Sequence, residues 1–249
     1  MKILHIITQT ELGGAIAVVA HLANKQCDEH EVVVVGGEGD GTLWKILDKR
    51  VTQEPCSTLL REISPLNDIR TTLFFSVLNR KHHPDIVHLH SSKAGILGRV
   101  AFPSSKVVYT VHGFDSIRLA YRKFLPLEQM MQYMCSAIVG VSYYDERNML
   151  SDKIRRNVSY IYNGIYPSNE NVEIKLPDLS AYRKRILCIA RLAKPKNHEL
   201  FIDIARKNPD YAFMWIGNKE TPKNIPANCF FMGSIPMLRS TIVLLIYVF

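Results

Sequence analysis

The sequence predicts an α/β protein of two doubly wound domains, the second incomplete. Three observations carry that prediction. Short, nearly continuous apolar runs recur along the chain, helix-period stretches separate many of them, and a polar, proline-bracketed segment interrupts the pattern at residues 166–184. Apolar runs without polar alternation suit strands covered on both faces, and strands alternating with helices form a parallel sheet flanked by helices.

In chain order, "KILHII" (2–7) is the first strand, followed by a helix over 14–26 whose Ile16, Val19, Ala20 and Ala23 fall on one stripe. "EVVVVG" (31–36) is the second strand, and "GGEGDG" (36–41) reads as a flexible loop after it. A helix over 67–81 leads to "DIVHLH" (85–90), a helix over 93–101 to "KVVYTV" (106–111), and a helix over 121–135 to "AIVGVS" (137–142). "VSYIYN" (158–163) closes a first domain spanning 1–165. Pro167 and Pro177 bracket the linker, 166–184. The second domain, 185–249, offers "RILCIA" (185–190), a helix over 197–207, "AFMWIG" (212–217) and "CFFMG" (229–233). Three strands fall short of the five or six of a complete doubly wound half.

Composition narrows the class. The 249 residues are 47% hydrophobic and 22% charged, enough for a sizeable core. The five cysteines are odd in number and never spaced as CxxC, which argues against a disulfide framework or zinc site and for a reducing, cytoplasmic setting. "MKILHII" is too short for a signal peptide, and "STIVLLIYVF" reaches half the length of a membrane span. The net charge of +8 sits in separated clusters ("NRKHH", "DKIRR", "YRKR") with no interleaved aromatics, so nucleic acid is not expected. Solvated helix ends account for these clusters as well as any function does. Of the functional readings, peripheral contact with anionic lipid heads fits best.

Two places invite an anion. Gly13 and Gly14 stand between the first strand and its helix, where a tight loop and unpaired helix N–H groups favour phosphate. The GxGxxG spacing of a dinucleotide-binding turn is absent, which counts against a nicotinamide-dependent oxidoreductase. In the second domain Arg191 and Lys196 lie five apart in the loop before a helix. Together the two loops could grip one diphosphate from opposite sides of a cleft. His112 sits at a strand's C-terminal end, where open α/β sheets bind ligands; position alone suits a packed histidine equally. His88 and His90 alternate on one side of their strand, without a third metal ligand in view. His90, Ser91 and Lys93 are candidates to touch an acceptor, while helix capping explains the serines at 91 and 92 equally well.

The ordered set "KILHIITQTELGGA", "PDIVHLHSSKAGILGRVA", "VVYTVHGF", "NVSYIYNGI" and "ARLAKPKN" resembles family 4 retaining glycosyltransferases of the GT-B fold, over residues 1 to about 235. The resemblance implies sugar transfer from a nucleotide-diphosphate donor to a glycan or lipid-linked acceptor, as in bacterial surface-polysaccharide synthesis, with no metal or other cofactor. It places Gly13 and Gly14 beside the donor phosphates, Arg191 and Lys196 on the diphosphate as stabilisers of its leaving charge, and His112 against the donor sugar.

The family's glutamate-rich segment, which holds ribose and sugar, has no counterpart after Gly233. Read one base back with permissible codons, "MLRSTIVLLIYVF" becomes "NAKKYYSIADICV", which has the expected character. The expectation is a frameshift near Pro236, a truncated second domain and weak or absent transfer; the alternative is a remnant that binds nucleotide or a partner without turnover. The gene's codons decide the frameshift.

Overall fold

The computed structural model describes residues 1–11, 13–164, 177–193 and 196–233. Leu12, Ile165, residues 166–176 of the expected 166–184 linker, Lys194, Pro195 and the segment from residue 234 onward, with the expected frameshift near Pro236, lie outside the described residues. The chain divides into two compact units, Met1–Gly164 and Ile165–Phe249.

The first unit is built on seven parallel strands: β1 (Lys2–Gln9), β2 (Glu31–Glu38), β3 (Thr52–Pro55), β4 (Ile86–His90), β5 (Val107–Val111), β6 (Ala137–Gly140) and β7 (Val158–Tyr160). Their order is β3-β2-β1-β4-β5-β6-β7. The helices are α1 (Gly14–Gln26), α2 (Thr42–Ile46), α3 (Pro65–His82), α4 (Ser92–Ala101), α5 (Leu125–Met131) and α6 (Tyr143–Ser151). Strand alternation divides the core between two sheet faces. Leu4, Ile6, Val33, Val35, Val87 and Leu89 pack with Phe75 and Leu78 of α3, Ala94 of α4 and Met149 of α6. Ile7, Val32 and Val34 pack on the other face with Ile16, Val19, Ala20 and Ala23 of α1 and Leu43 of α2. The stripe predicted for α1 is therefore its buried face.

The second unit has three parallel strands, β8 (Lys184–Ile189), β9 (Tyr211–Ile216) and β10 (Cys229–Phe231), in the order β10-β9-β8, with helix α7 (His198–Lys207). Ala212, Met214 and Ile216 pack with Leu179 on one side, and Phe213 packs with Ile202 and Ala205 of α7 on the other. The Asn197 side chain caps α7 by accepting from Leu200 N at 3.3 Å.

Two expectations need correction. "GGEGDG" is no free loop: Gly36, Gly37 and Glu38 extend β2, and α2 begins at Thr42. The glycines are required by contact, because a Cβ on Gly37 would overlap the carbonyl oxygens of Leu59 and Thr8. The helix expected over 121–135 is shorter. A π-turn (Ser116–Ala120) and a 3-10 turn (Arg122–Phe124) precede α5, and another 3-10 turn (Gln132–Met134) follows it. Pro126, in the first turn of α5, has no N–H to give a preceding turn, so the α-helix starts just ahead of it.

Candidate functional site

Strand order reverses between β1 and β4, with β2 and β3 on one side and β5 to β7 on the other. Such a switch point opens a crevice at the strands' C-terminal ends, the ligand-binding edge of open α/β sheets. Residues that leave β1 and β4 meet there. Thr8 Oγ1 and Ser91 Oγ lie 2.6 Å apart, and Thr8 N donates to Ser91 Oγ at 3.3 Å. Ser91 pays for its place with backbone strain, at φ 74° and ψ 151°, a region nearly confined to glycine. Gly13 caps α1 in extended conformation (φ −175°), and Gly14 is its exposed first residue. Neither a side-chain cap nor a first-turn acidic residue is present at this helix start.

Behind this edge runs a row of imidazoles, His5 and His90 fully buried and His88 and His112 partly so. In register, His5 of β1 pairs with His88 of β4, and Ile7 with His90. Period-two alternation therefore sets His5, His88 and His90 on the α1 face of the sheet, with Thr110 beside His90. His5 Nε2 meets Gln26 Oε1 at the end of α1 (2.7 Å), and His5 Nδ1 meets His90 Nε2 (3.1 Å). His90 Nδ1 continues to His112 Nε2 (3.0 Å), and His88 Nε2 meets Thr110 Oγ1 (2.7 Å). These bonds offset the desolvation of polar rings inside a sheet. His112 follows β5 directly, and the chain then turns through Gly113 at φ 97°. Phe114 N donates to Asp145 Oδ1 (2.7 Å), and Asp145 is in turn bonded to Ser142, which caps α6.

Burial holds the imidazoles neutral. His5 falls from 6.5 to about 4 by desolvation, partly countered by the Gln26 bond. His112 falls to about 4 by desolvation, partly countered by the charge of Asp145. His88 and His90 lie well below the ordinary value through burial and the neighbouring imidazoles. The unfolded chain thus takes up protons that the folded one refuses. Stability is full above pH 6.5 and falls as pH drops from there toward about 4. The urea midpoint should already decline between about pH 6.5 and about pH 5, before most carboxylates titrate; a flat midpoint there contradicts the assignment.

The structure alters several site expectations. His88 and His90 do have a third imidazole nearby: nitrogens of His5, His88 and His90 lie within 4.8 Å of one another. His5 and Gln26 escaped the sequence reading because His5 hides inside an apolar run. The available signal was an imidazole in each of two central strands. His90 is fully buried with both ring nitrogens bonded, so it reaches no acceptor directly. The Lys93 ammonium is paired with Asp68 at 2.6 Å and also bonds the Glu62 carbonyl, so it too is engaged. Ser91 is the residue before α4, yet its hydroxyl serves Thr8 and gives the helix no cap bond. Arg191 and Lys196 are exposed in the second unit, on the loop between β8 and α7.

Comparison with known proteins gives the family and the fold. The family model described as Glycosyltransferase Family 4 matches residues 12–169. The UDP-Gal:alpha-D-GlcNAc-diphosphoundecaprenol alpha-1,3-galactosyltransferase of Escherichia coli is 28% identical over 92% of this chain, and the chain spans 65% of that relative's length. Among solved structures, HepE of Anabaena in complex with UDP and glucose has a TM-score of 0.74 at 17% identity, covering 97% of this chain and 71% of its own. Sucrose-phosphate synthase from Thermosynechococcus elongatus also has a TM-score of 0.74, at 14% identity, covering 96% of this chain and 72% of its own. The structural likenesses give the α/β, GT-B-type fold, and the family match extends over more than half of the sequence: the chain belongs to glycosyltransferase family 4.

Proposed function

We propose that this protein transfers a sugar from a nucleotide-diphosphate donor to a glycan or lipid-linked acceptor in surface-polysaccharide synthesis, with retention and without a metal. The observation that carries the reading is the switch-point edge of the first unit, where the start of α1 after β1 and His112 after β5 stand at the C-terminal ends of strands on either side of β4 in a family 4 chain. Gly13 and Gly14 offer N–H groups to the diphosphate. Arg191 and Lys196 stabilise its departing charge. His112 faces the sugar. The bond from the anomeric carbon to the diphosphate breaks, a bond to the acceptor oxygen forms on the same face, and the acceptor proton leaves with the phosphate.

The E. coli relative's name supports a UDP-sugar and a diphosphate-linked lipid as first substrates to try. Transfer of labelled sugar is the test, on this chain and on one extended to the relatives' length. Transfer by neither overturns the reading. Activity of the extended chain alone favours the second reading, a binding remnant, for the chain as it stands; that reading draws on the three-stranded second sheet among the described residues.

A lipid-linked acceptor calls for contact with a cytoplasmic membrane face. No helix among the described residues is long and apolar enough to cross a membrane. Helix α3 supports a peripheral mode. It buries Phe75 and Leu78, yet exposes Leu66 (73%), Ile69 (60%), Leu73 (62%) and Val77 (56%) along a second stripe. Exposed Arg70 and Arg80 share that side, and Asp68, the helix's one carboxylate, is turned to Lys93. Apolar side chains beside arginines suit an anionic bilayer surface. Sedimentation with phosphatidylglycerol vesicles should fall several-fold in L66E/L73E and be weak on neutral vesicles. Equal binding by the variant would remove α3 as the contact.

A further inference from the structure

We propose that Gln26, acting through His5 and His90, fixes the tautomer of His112 and makes its Nδ1 a hydrogen-bond acceptor. The argument is a proton count along one line of contacts. Gln26 Oε1 accepts and has no proton to give, so the 2.7 Å contact puts a proton on His5 Nε2. A neutral imidazole carries one proton, which leaves His5 Nδ1 bare. The 3.1 Å contact is then satisfied by a proton on His90 Nε2, and His90 Nδ1 is bare in turn. The 3.0 Å contact takes its proton from His112 Nε2. What remains is a lone pair on His112 Nδ1, an atom with no hydrogen bond among the described residues.

The polarity is all or none. Were the Gln26 amide turned to present its NH₂, every proton in the row would move to the other nitrogen, and His112 would become a donor. One side chain at the end of α1 thus sets the hydrogen-bonding sense of an imidazole just past β5, a strand two places from β1 in the sheet. Neutrality follows from burial of His5 and His90, with no acidic partner bonded to either. His88 stands outside the row, on Thr110, and Asp145 is the one carboxylate acting on His112.

Its use rests on the proposed function: an acceptor nitrogen takes a hydrogen bond from a sugar hydroxyl, so it orients that hydroxyl and rejects a sugar presenting only an oxygen acceptor there. Gln26 and His5 are positioning residues in this scheme, since they act through His90.

The test needs no substrate. Long-range ¹H–¹⁵N correlation spectra of histidine-labelled protein report which ring nitrogen carries the proton, with His112 identified by loss of its signals in His112→Asn. Wild type should show His112 as a single Nε2–H tautomer. Gln26→Met, similar in size without an acceptor, should give a mixture. An Nδ1–H His112 in wild type, or a Gln26→Met spectrum identical to wild type, overturns the proposal. So does saturable Zn²⁺ binding that shifts His5, His88 and His90 together, because those nitrogens would then converge as ligands. Circular dichroism of each variant separates misfolding from loss of the tautomer. Absence of sugar transfer would leave this result untouched, so the two readings fail separately.

Discussion

Arg191→Ala, made in a chain extended to the relatives' length, is expected to lower kcat by about 10²–10³, the cost typical of losing one preorganised donor at a developing negative charge. Arg191 is exposed, and its guanidinium has no ion pair among the described residues, so its charge is available to a ligand. The proposed role predicts a specific kinetic form. A group that acts on the leaving diphosphate lowers kcat and kcat/KM together, whereas a group that only holds the donor raises KM. Arg191→Lys should restore part of the loss, because a point charge replaces the planar, two-pronged donor imperfectly. Stopped assays at saturating nucleotide sugar measure this, and wild-type turnover in Arg191→Ala ends the assignment.

The largest effect on stability is expected from Glu128→Ala. Arg99 and Glu128 are 1% and 3% exposed, and their side chains meet at 2.7 Å between α4 and α5. Arg99 Nε donates to the Gly95 carbonyl at 2.8 Å, and the guanidinium lies 4.5 Å from the centre of the Tyr109 ring. Removing the carboxylate strands a buried cation, which costs about 3–5 kcal/mol. That approaches the whole of a marginal domain's stability. Replacing both partners by apolar residues, as in R99M/E128L, should recover most of the loss, since the desolvation penalty disappears with the charges. Urea unfolding followed by circular dichroism measures both; a loss below about 1 kcal/mol in Glu128→Ala would mean the arginine finds water.

The parallel architecture was legible because strands buried on both faces are nearly continuously apolar, as in Val32–Val35 of "EVVVVG" and most of "KVVYTV". The elements that escaped lack that signature. β3 is "TQEP", an edge strand held by backbone pairing to β2 with three of its four residues exposed. α2 has five residues, too few for a period to show. α6, "YYDERNMLS", buries only Asp145 and Met149. At the site, His112 and the Gly13–Gly14 turn could be read because each sits at a strand-to-helix junction. The His5–His90 contact could not. It depends on the register of β1 against β4, which pairs residues far apart in sequence and is set by packing of the whole sheet. His90 was misjudged for the same reason: its parity within β4 says which face it shares, and only the sheet says that this face is closed.

The position of β1 inside the sheet, between β2 and β4, has a consequence for the nascent chain. Its first neighbour, β2, follows soon after, but its other neighbour brings His90 beside Ile7 only after the intervening residues are made. At roughly 5–20 residues per second on the ribosome, one flank of "KILHII" waits several seconds for its partner. A hydrophobic strand open along one side for that long is a natural client for a chaperone at the exit tunnel, and slower translation of α3 would lengthen the wait.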